Sequence, residues 1–161
     1  LIEARVESGE MEMPDVLGGT ATAAIPWAAF LAYEMNLPMV YIRPQKKEHG
    51  AGKQIEGDLK PGQKVLIVED LISTGGSSVA AAEAVRDEGQ CEVTDIFAIV
   101  SWELQKSEDR FDAAGLRLTN LTGFAAIIGL AAEIGSIKPE DESVILEFKK
   151  DPPTWAERVG L

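Results

Sequence analysis

The chain has 161 residues, of which 45% are hydrophobic and 26% charged, a composition that favours one globular domain over a disordered or fibrous protein. A formal net charge of −12 argues against a broad nucleic-acid interface, because binding to a phosphate backbone needs a basic surface. The apolar runs are too short to cross a bilayer, no signal peptide is visible, and the lone Cys91 indicates a reducing compartment. We therefore expect a cytoplasmic domain over residues 1–161 that binds neither nucleic acid nor membranes.

The first part of the chain predicts two strands around a helix. Residues 1–15 have no clear periodicity, and residues 16–19 read as a buried strand that ends in a glycine turn. Residues 24–36 predict a helix with Pro26 in its first turn. Trp27 and Phe30 of this helix, and the Met residues of the whole chain, are expected in the core. Residues 38–42 predict the next strand.

The middle of the chain predicts a long loop, a central strand and a helix. Residues 43–57 are polar and contain glycine, so they are expected to form a binding loop. The apolar run at residues 64–69 suits a central parallel strand. A loop at residues 70–78 and a helix at residues 79–88 follow, and Gly89 closes the helix.

The last part of the chain continues the alternation of strands and helices. Strands are predicted at residues 93–100 and 116–119, helices at 107–114, 124–134 and 138–149, and an irregular Asp-Pro-Pro tail after them. Such alternation predicts a Rossmann-like α/β fold, with a mostly parallel sheet flanked by helices.

The strongest local pattern is VLIVEDLISTGGSS at residues 65–78. Ligands of open α/β sheets bind at the carboxyl ends of strands, where this pattern has Glu69, Asp70 and a Ser/Thr/Gly loop that leads into a helix. Glycines let a phosphate approach the backbone, and a helix N-terminus supplies N–H groups. The two acids repel a phosphate but can accept hydrogen bonds from ribose hydroxyls or lie near Mg²⁺. The pattern predicts a ligand with a sugar diol and a monophosphate, and a solvated glycine turn is the simpler alternative.

Three segments together resemble the type I phosphoribosyltransferases, and among them the orotate phosphoribosyltransferases. EDLISTGGS at residues 69–77 is similar to the signature that binds the phosphoribosyl group in this family. GTATAAIP at residues 19–26 resembles the loop that meets pyrophosphate. YIRPQKKEHGAGKQIEG at residues 41–57 resembles the mobile catalytic loop, with its R-x-x-x-K-x-H-G core.

The resemblance implies transfer of the 5-phosphoribosyl group from phosphoribosyl pyrophosphate to orotate, which gives orotidine 5′-phosphate and pyrophosphate in UMP biosynthesis. The catalytic residues that it implies are Arg43, Lys47 and His49. The residues that it implies for binding phosphoribosyl pyrophosphate are Arg43, Lys47, His49, Glu69, Asp70, Leu71, Ile72, Ser73, Thr74, Gly75, Gly76 and Ser77. The implied pyrophosphate loop consists of Gly19, Thr20, Ala21 and Thr22, and Ser73 is also implied to contact orotate.

The resemblance further implies a cofactor, an assembly and a missing segment. Mg²⁺ is expected to bind mainly through the substrate, with no direct protein ligand, and loop 43–57 is expected to reach the neighbouring subunit's site in a homodimer. Ala23 and Pro44 stand where some members carry lysine, which gives Arg43 and Lys47 more weight. The N-terminal hood that covers the base in this family is expected to be shortened or missing before Gly18, and the chain has no initiator Met.

Two other functions fit part of the pattern. A phosphoribosyltransferase for a purine, xanthine or uracil base would share residues 69–78 but would not need the pattern at residues 43–57. A regulator that senses nucleotides on the same fold and binds nucleic acid is the other alternative, and the acidic charge of the chain argues against it.

Overall fold

The computed structural model describes residues 1–45 and 53–160. Over these residues, six strands form one sheet in the order β3-β2-β1-β4-β5-β6. The strands are β1 (Val16–Thr20), β2 (Met39–Ile42), β3 (Ile55–Glu56), β4 (Val65–Ile72), β5 (Asp95–Ser101) and β6 (Arg117–Gly123). All neighbouring pairs are parallel except β2 and β3. The predicted α/β fold with a mostly parallel sheet is therefore confirmed.

Within the described residues, seven α-helices flank the sheet or follow it. They are α1 (Ile2–Glu7), α2 (Ile25–Met35), α3 (Gly76–Gly89), α4 (Gln105–Ala114), α5 (Phe124–Glu133), α6 (Glu142–Leu146) and α7 (Pro152–Val159). Short 3₁₀ turns at Pro139–Asp141 and Glu147–Lys149 flank α6. No helix within the described residues is long and apolar enough to cross a membrane.

Strand β4 lies at the centre of the molecule, and its first five residues are all buried. One face of β4 packs through Ile67 into a core cluster with α3 and α4. The other face packs through Leu66 and Val68 into a cluster with α1 and α2. Because β4 is covered on both faces, its sequence is a continuous apolar run and does not alternate between polar and apolar residues.

Helix α2 corrects the prediction that Trp27 and Phe30 belong to the core. Their relative exposures are 42% and 66%, and the buried side of α2 carries Ala28 and Ala32 instead. A Cβ atom added to Gly19 of β1 would lie 2.8 Å from the Cβ of Ala28. At this point the helix lies so close to the sheet that only a small side chain fits between them, and Trp27 and Phe30 therefore face outward.

The Met residues are divided between core and surface, so the expectation of a buried set holds only in part. Met11 is 4% exposed and packs against the cluster of α1 and α2. Met13, two residues later, is 46% exposed. Met35 and Met39 are partly buried at the edge of the same cluster.

Several predicted boundaries were wrong because long-range pairing and capping override local composition. The predicted loop 43–57 contains β3, which pairs antiparallel with β2. Strand β4 continues beyond residue 69 because β5 is long enough to pair with it as far as Ile72, and α3 begins at Gly76 instead of residue 79. β6 likewise extends to Gly123, paired with β5.

The ends of the chain also differ from the prediction. Residues 1–15 contain α1, which buries Ile2. The predicted last helix at residues 138–149 is divided between α6 and its two 3₁₀ turns. The tail after it forms α7, whose first two positions are prolines that need no N–H partner there.

Candidate active site

The two acids of the signature lie at the carboxyl end of β4 and differ in their surroundings. Glu69 is only 4% exposed, whereas Asp70 is half-buried. Both contribute to the wall of a cavity of about 350 Å³, which we call the β4 cleft. Its wall also includes Thr20, Arg43 and Ser77, so segments that are far apart in the sequence meet there. Parallel strands bring such segments together because their carboxyl ends share one edge of the sheet.

Both carboxylate oxygens of Glu69 accept hydrogen bonds from hydroxyl groups. Thr20, the last residue of β1, donates to Oε2. Ser78 of α3 donates to Oε1 over 2.7 Å, and Ser78 is fully buried. Burial raises the pKa of Glu69 above its ordinary value, while these two hydrogen bonds act in the opposite direction. The sequence pattern placed Glu69 beside a ligand but did not indicate these partners.

The loop between β4 and α3 is shaped by Gly75. This residue has φ of +73°, a conformation that favours glycine, and it precedes the first residue of α3. A Cβ atom there would lie 2.8 Å from the ring of Phe111. The first backbone N–H groups of α3 therefore follow directly after a tight turn, as anion-binding loops require.

Arg110 of α4 donates hydrogen bonds to the same loop, and the sequence did not identify this residue. Its Nη1 atom donates to the carbonyl oxygen of Thr74 over 2.8 Å and to the Thr74 hydroxyl over 3.0 Å. No local pattern marks Arg110, because its contact spans 36 residues of sequence.

The residues of the signature at positions 69–77 differ in their exposure. Ser73 and Ser77 are exposed, and Thr74 and Gly76 are partly buried. Leu71 is 42% exposed and lines the β4 cleft, whereas the side chain of Ile72 is 1% exposed and belongs to the core. Ile72 therefore has only its backbone to offer a ligand.

The predicted pyrophosphate loop begins within β1. Gly19 and Thr20 are the last residues of that strand, and Ala21 and Thr22 form the turn before α2. Gly19 pairs in register with Val68 of β4, so the loop begins beside the acids of the signature. The turn after β1 therefore lies beside the carboxyl end of β4.

Arg43 brings a positive charge to the β4 cleft. Its Nε atom lies 3.0 Å from a carboxylate oxygen of Glu56, and its Nη2 atom donates to the hydroxyl of Tyr41 over 3.1 Å. The guanidinium also lies over the Tyr41 ring, 5.7 Å from the centroid. β3 therefore orients the arginine that the sequence singled out. Lys47 and His49 lie outside the described residues.

A second cavity of about 470 Å³ borders the same loop, and we call it the Trp102 pocket. Ser73 and Thr74 form its border with the loop, and Trp102 and Phe148 supply its aromatic wall. Trp102 stacks on Phe124 with a centroid distance of 5.4 Å. No pattern in the sequence singles out Trp102.

Within residues 1–45 and 53–160, no group of three or more His, Cys, Asp or Glu side chains is arranged to hold a metal ion. The half-buried Asp70 is the accessible carboxylate on β4. Mg²⁺ commonly binds through one or two carboxylates together with substrate phosphates. This donor set fits an ion that is bound largely through a phosphorylated substrate.

Comparisons with known proteins agree with the fold. The family model described as phosphoribosyl transferase domain matches residues 1–130. The chain therefore belongs to the phosphoribosyltransferase family.

The relatives define the branch of this family. The orotate phosphoribosyltransferase of Streptococcus sanguinis is 46% identical over 152 residues, which cover 93% of this chain and 72% of the relative. The crystal structure of orotate phosphoribosyltransferase from Aeropyrum pernix has a TM-score of 0.69 and 28% identity, and the match covers 84% of this chain and 75% of that one. The Mycobacterium tuberculosis orotate phosphoribosyltransferase in complex with 5-phospho-α-D-ribosyl 1-diphosphate has a TM-score of 0.58 and 29% identity, with 76% and 70% covered. Within its family the chain is an orotate phosphoribosyltransferase.

Proposed function

We propose that the β4 cleft is where this chain transfers the 5-phosphoribosyl group from phosphoribosyl pyrophosphate to orotate. The observation that carries the proposal is the meeting of three segments at one edge of the sheet: the acids of β4, the turn after β1, and the start of α3. A ligand with a 5′-phosphate at one end, a pyrophosphate at the other and a diol between them needs three such contacts.

The 5′-phosphate is assigned to the loop between β4 and α3. Backbone N–H groups at the start of α3 and the hydroxyls of Ser73, Thr74 and Ser77 supply its donors, with Gly75 and Gly76 allowing close approach. The ribose diol is assigned to the acids, and Asp70 is the more accessible of the two. An ionised carboxylate accepts hydrogen bonds and donates none, so it suits the hydroxyl groups of a diol, which can donate them.

The departing pyrophosphate is assigned to the residues that follow β1 and β2. Gly19 to Thr22 supply backbone and hydroxyl groups, and Arg43 supplies a cation at the wall of the cleft. Lys47 and His49 are proposed as further cations on the basis of their sequence motif. Positive groups placed where negative charge develops lower the barrier to departure of the leaving group. No protein nucleophile is required, because a ring nitrogen of orotate attacks the anomeric carbon.

Mg²⁺ is proposed as the cofactor, bound mainly by substrate oxygens. When bound, it neutralises charge on the pyrophosphate group. Asp70 is the described residue best placed to contact the ion or its water molecules.

Orotate is proposed to bind beside Ser73, at the border of the Trp102 pocket. The pocket offers an aromatic wall for a planar ring and three lysines for a carboxylate. Lys149 pairs with Glu103 and Lys150 with Glu147. Among the described residues, Lys106 forms no ion pair, so it is the lysine that we assign to the orotate carboxylate.

We also propose that the chain is a homodimer in which loop 43–57 reaches the neighbouring subunit's site. The exposed face of α2 supports this assembly. Trp27, Phe30 and Tyr33 follow one another at intervals of three residues and are 42%, 66% and 88% exposed. Light scattering should give a dimer for the native chain and a monomer for Phe30→Glu. Ile134→Glu, at an exposed apolar residue after α5, is the control and should remain dimeric.

A panel of bases tests the proposed activity. The protein is mixed with phosphoribosyl pyrophosphate, Mg²⁺ and either orotate, uracil, xanthine, adenine or hypoxanthine, and consumption of the base is followed. We expect turnover of orotate only. Rapid turnover of another base with none of orotate would contradict the assignment.

A further inference from the structure

Thr20, Glu69 and Ser78 form a set of buried polar contacts that we call the buried link. Their relative exposures are 9%, 4% and 0%. Thr20 belongs to the predicted pyrophosphate loop, Glu69 to β4 and Ser78 to α3, so each member comes from a different element of the site. Gly19 and Val68 are register partners, which places the next residues, Thr20 and Glu69, side by side.

Each carboxylate oxygen of Glu69 accepts one hydrogen bond in this arrangement, one from Thr20 and the other from Ser78. The Thr20 hydroxyl also lies 3.3 Å from the carbonyl oxygen of Val68, so its single hydrogen is shared between this oxygen and Glu69. A carboxylate oxygen can accept more than one hydrogen bond, so Glu69 can contact a ribose hydroxyl and hold Thr20 and Ser78 together.

We propose that Glu69, besides contacting ribose, is a positioning residue: through Thr20 and Ser78 it sets the separation between the loop that receives pyrophosphate and the loop that receives the 5′-phosphate. The inference rests on the function proposed above. The 5′-phosphate and the pyrophosphate belong to one substrate, so the two loops can bind them together only at a fixed separation. Buried hydrogen bonds to a charged group are well suited to fix it, because breaking one leaves a buried group without a partner.

Two ligands separate this role from a direct contact with ribose. Inorganic pyrophosphate with Mg²⁺ has no ribose, and ribose 5-phosphate has no pyrophosphate. Removing a ribose contact would weaken only the second ligand. Removing a hydrogen bond of the buried link would weaken the binding of both ligands, because both loops would then move.

The experiment measures the affinity of both ligands by calorimetry for the native chain, Glu69→Gln and Ser78→Ala. Thermal unfolding is recorded first to confirm that each variant is folded at the temperature of titration. Ser78→Ala is the gentler change, and it carries the test by itself if Glu69→Gln does not fold. Thr119→Val is the matched control, since Thr119 is a buried hydroxyl residue on β6 outside the link.

We expect both link variants to bind each ligand about 2- to 30-fold more weakly, the range for buried residues that couple sites without touching the ligand. The control should bind both ligands like the native chain. Unchanged pyrophosphate affinity in the folded link variants would overturn the inference and leave the proposed function intact. Failure of the native chain to bind either ligand would instead contradict the proposed function, and the inference with it.

Discussion

Gly75→Ala tests whether the loop between β4 and α3 has the shape that the site requires. Gly75 has φ of +73°, and an added Cβ would lie 2.8 Å from Cζ and 2.9 Å from Cε1 of Phe111. The Phe111 ring is 3% exposed, so the surrounding core leaves it little room to move. The variant therefore combines a strained backbone with an overpacked contact.

Gly115→Ala supplies the matched control. Gly115 has a similar φ of +63°, but an added Cβ would meet no atom within 4 Å. It experiences the backbone strain alone, which is about 1–2 kcal/mol. The clash with Phe111 should add about 1–3 kcal/mol, the usual range for overpacking of a core. The free energy of unfolding of Gly75→Ala should therefore be lower than that of Gly115→Ala by this second amount.

Thermal and urea unfolding measure the difference directly. For a chain of this size, a loss of about 1–3 kcal/mol lowers the midpoint by about 2–12 °C relative to the control. Replacing Phe111 by Leu in the Gly75→Ala background should restore part of the loss. The KM for phosphoribosyl pyrophosphate should rise in Gly75→Ala and remain unchanged in Gly115→Ala. Equal stability of the two alanine variants would refute the packing argument.

Three further variants test the charges of the site and of its surroundings. Lys47→Ala should lower kcat by about 100-fold and change KM much less, because the charge of Lys47 acts on departing pyrophosphate. Turnover equal to that of the native chain would remove Lys47 from the mechanism. Asp70→Asn should weaken binding of ribose 5-phosphate in calorimetry, and an unchanged isotherm would exclude a ribose contact. Burial of Glu103 raises its pKa, because burial opposes the charged form. Hydrogen bonds from Lys149 and from the Ala125 N–H, together with the Lys149 charge, outweigh burial and hold the pKa below the ordinary 4.5. The contribution of Glu103 to stability is therefore complete above pH 4.5 and is lost as the pH falls through the lowered pKa. The stability advantage of the native chain over Glu103→Gln should accordingly shrink and disappear below that pKa. A difference that does not depend on pH would contradict this.

The fold could be predicted from the sequence largely because its central strands are continuous apolar runs separated by helical segments. Residues 65–68 are buried on both faces, and their composition shows it. The orientation of α2 could not be predicted in the same way. Whether Trp27 or Ala28 faces the sheet depends on the close approach at Gly19, and that contact joins two elements.

The site could be predicted where its residues are adjacent in the chain. The acids and the glycine loop form one uninterrupted string, so the sequence alone located them. The contacts of Arg110 with Thr74 and of Arg43 with Glu56 depend on how separate elements pack, and no local pattern indicates them. The same holds for the contact between Thr20 and Glu69, which spans 49 residues.

A crystal structure of the chain with ribose 5-phosphate tests the central claim most directly. We predict density for the phosphate at the backbone N–H groups that begin α3, within the loop at residues 73–77, and the diol near Asp70. An empty β4 cleft with the ligand bound at another surface would contradict the account.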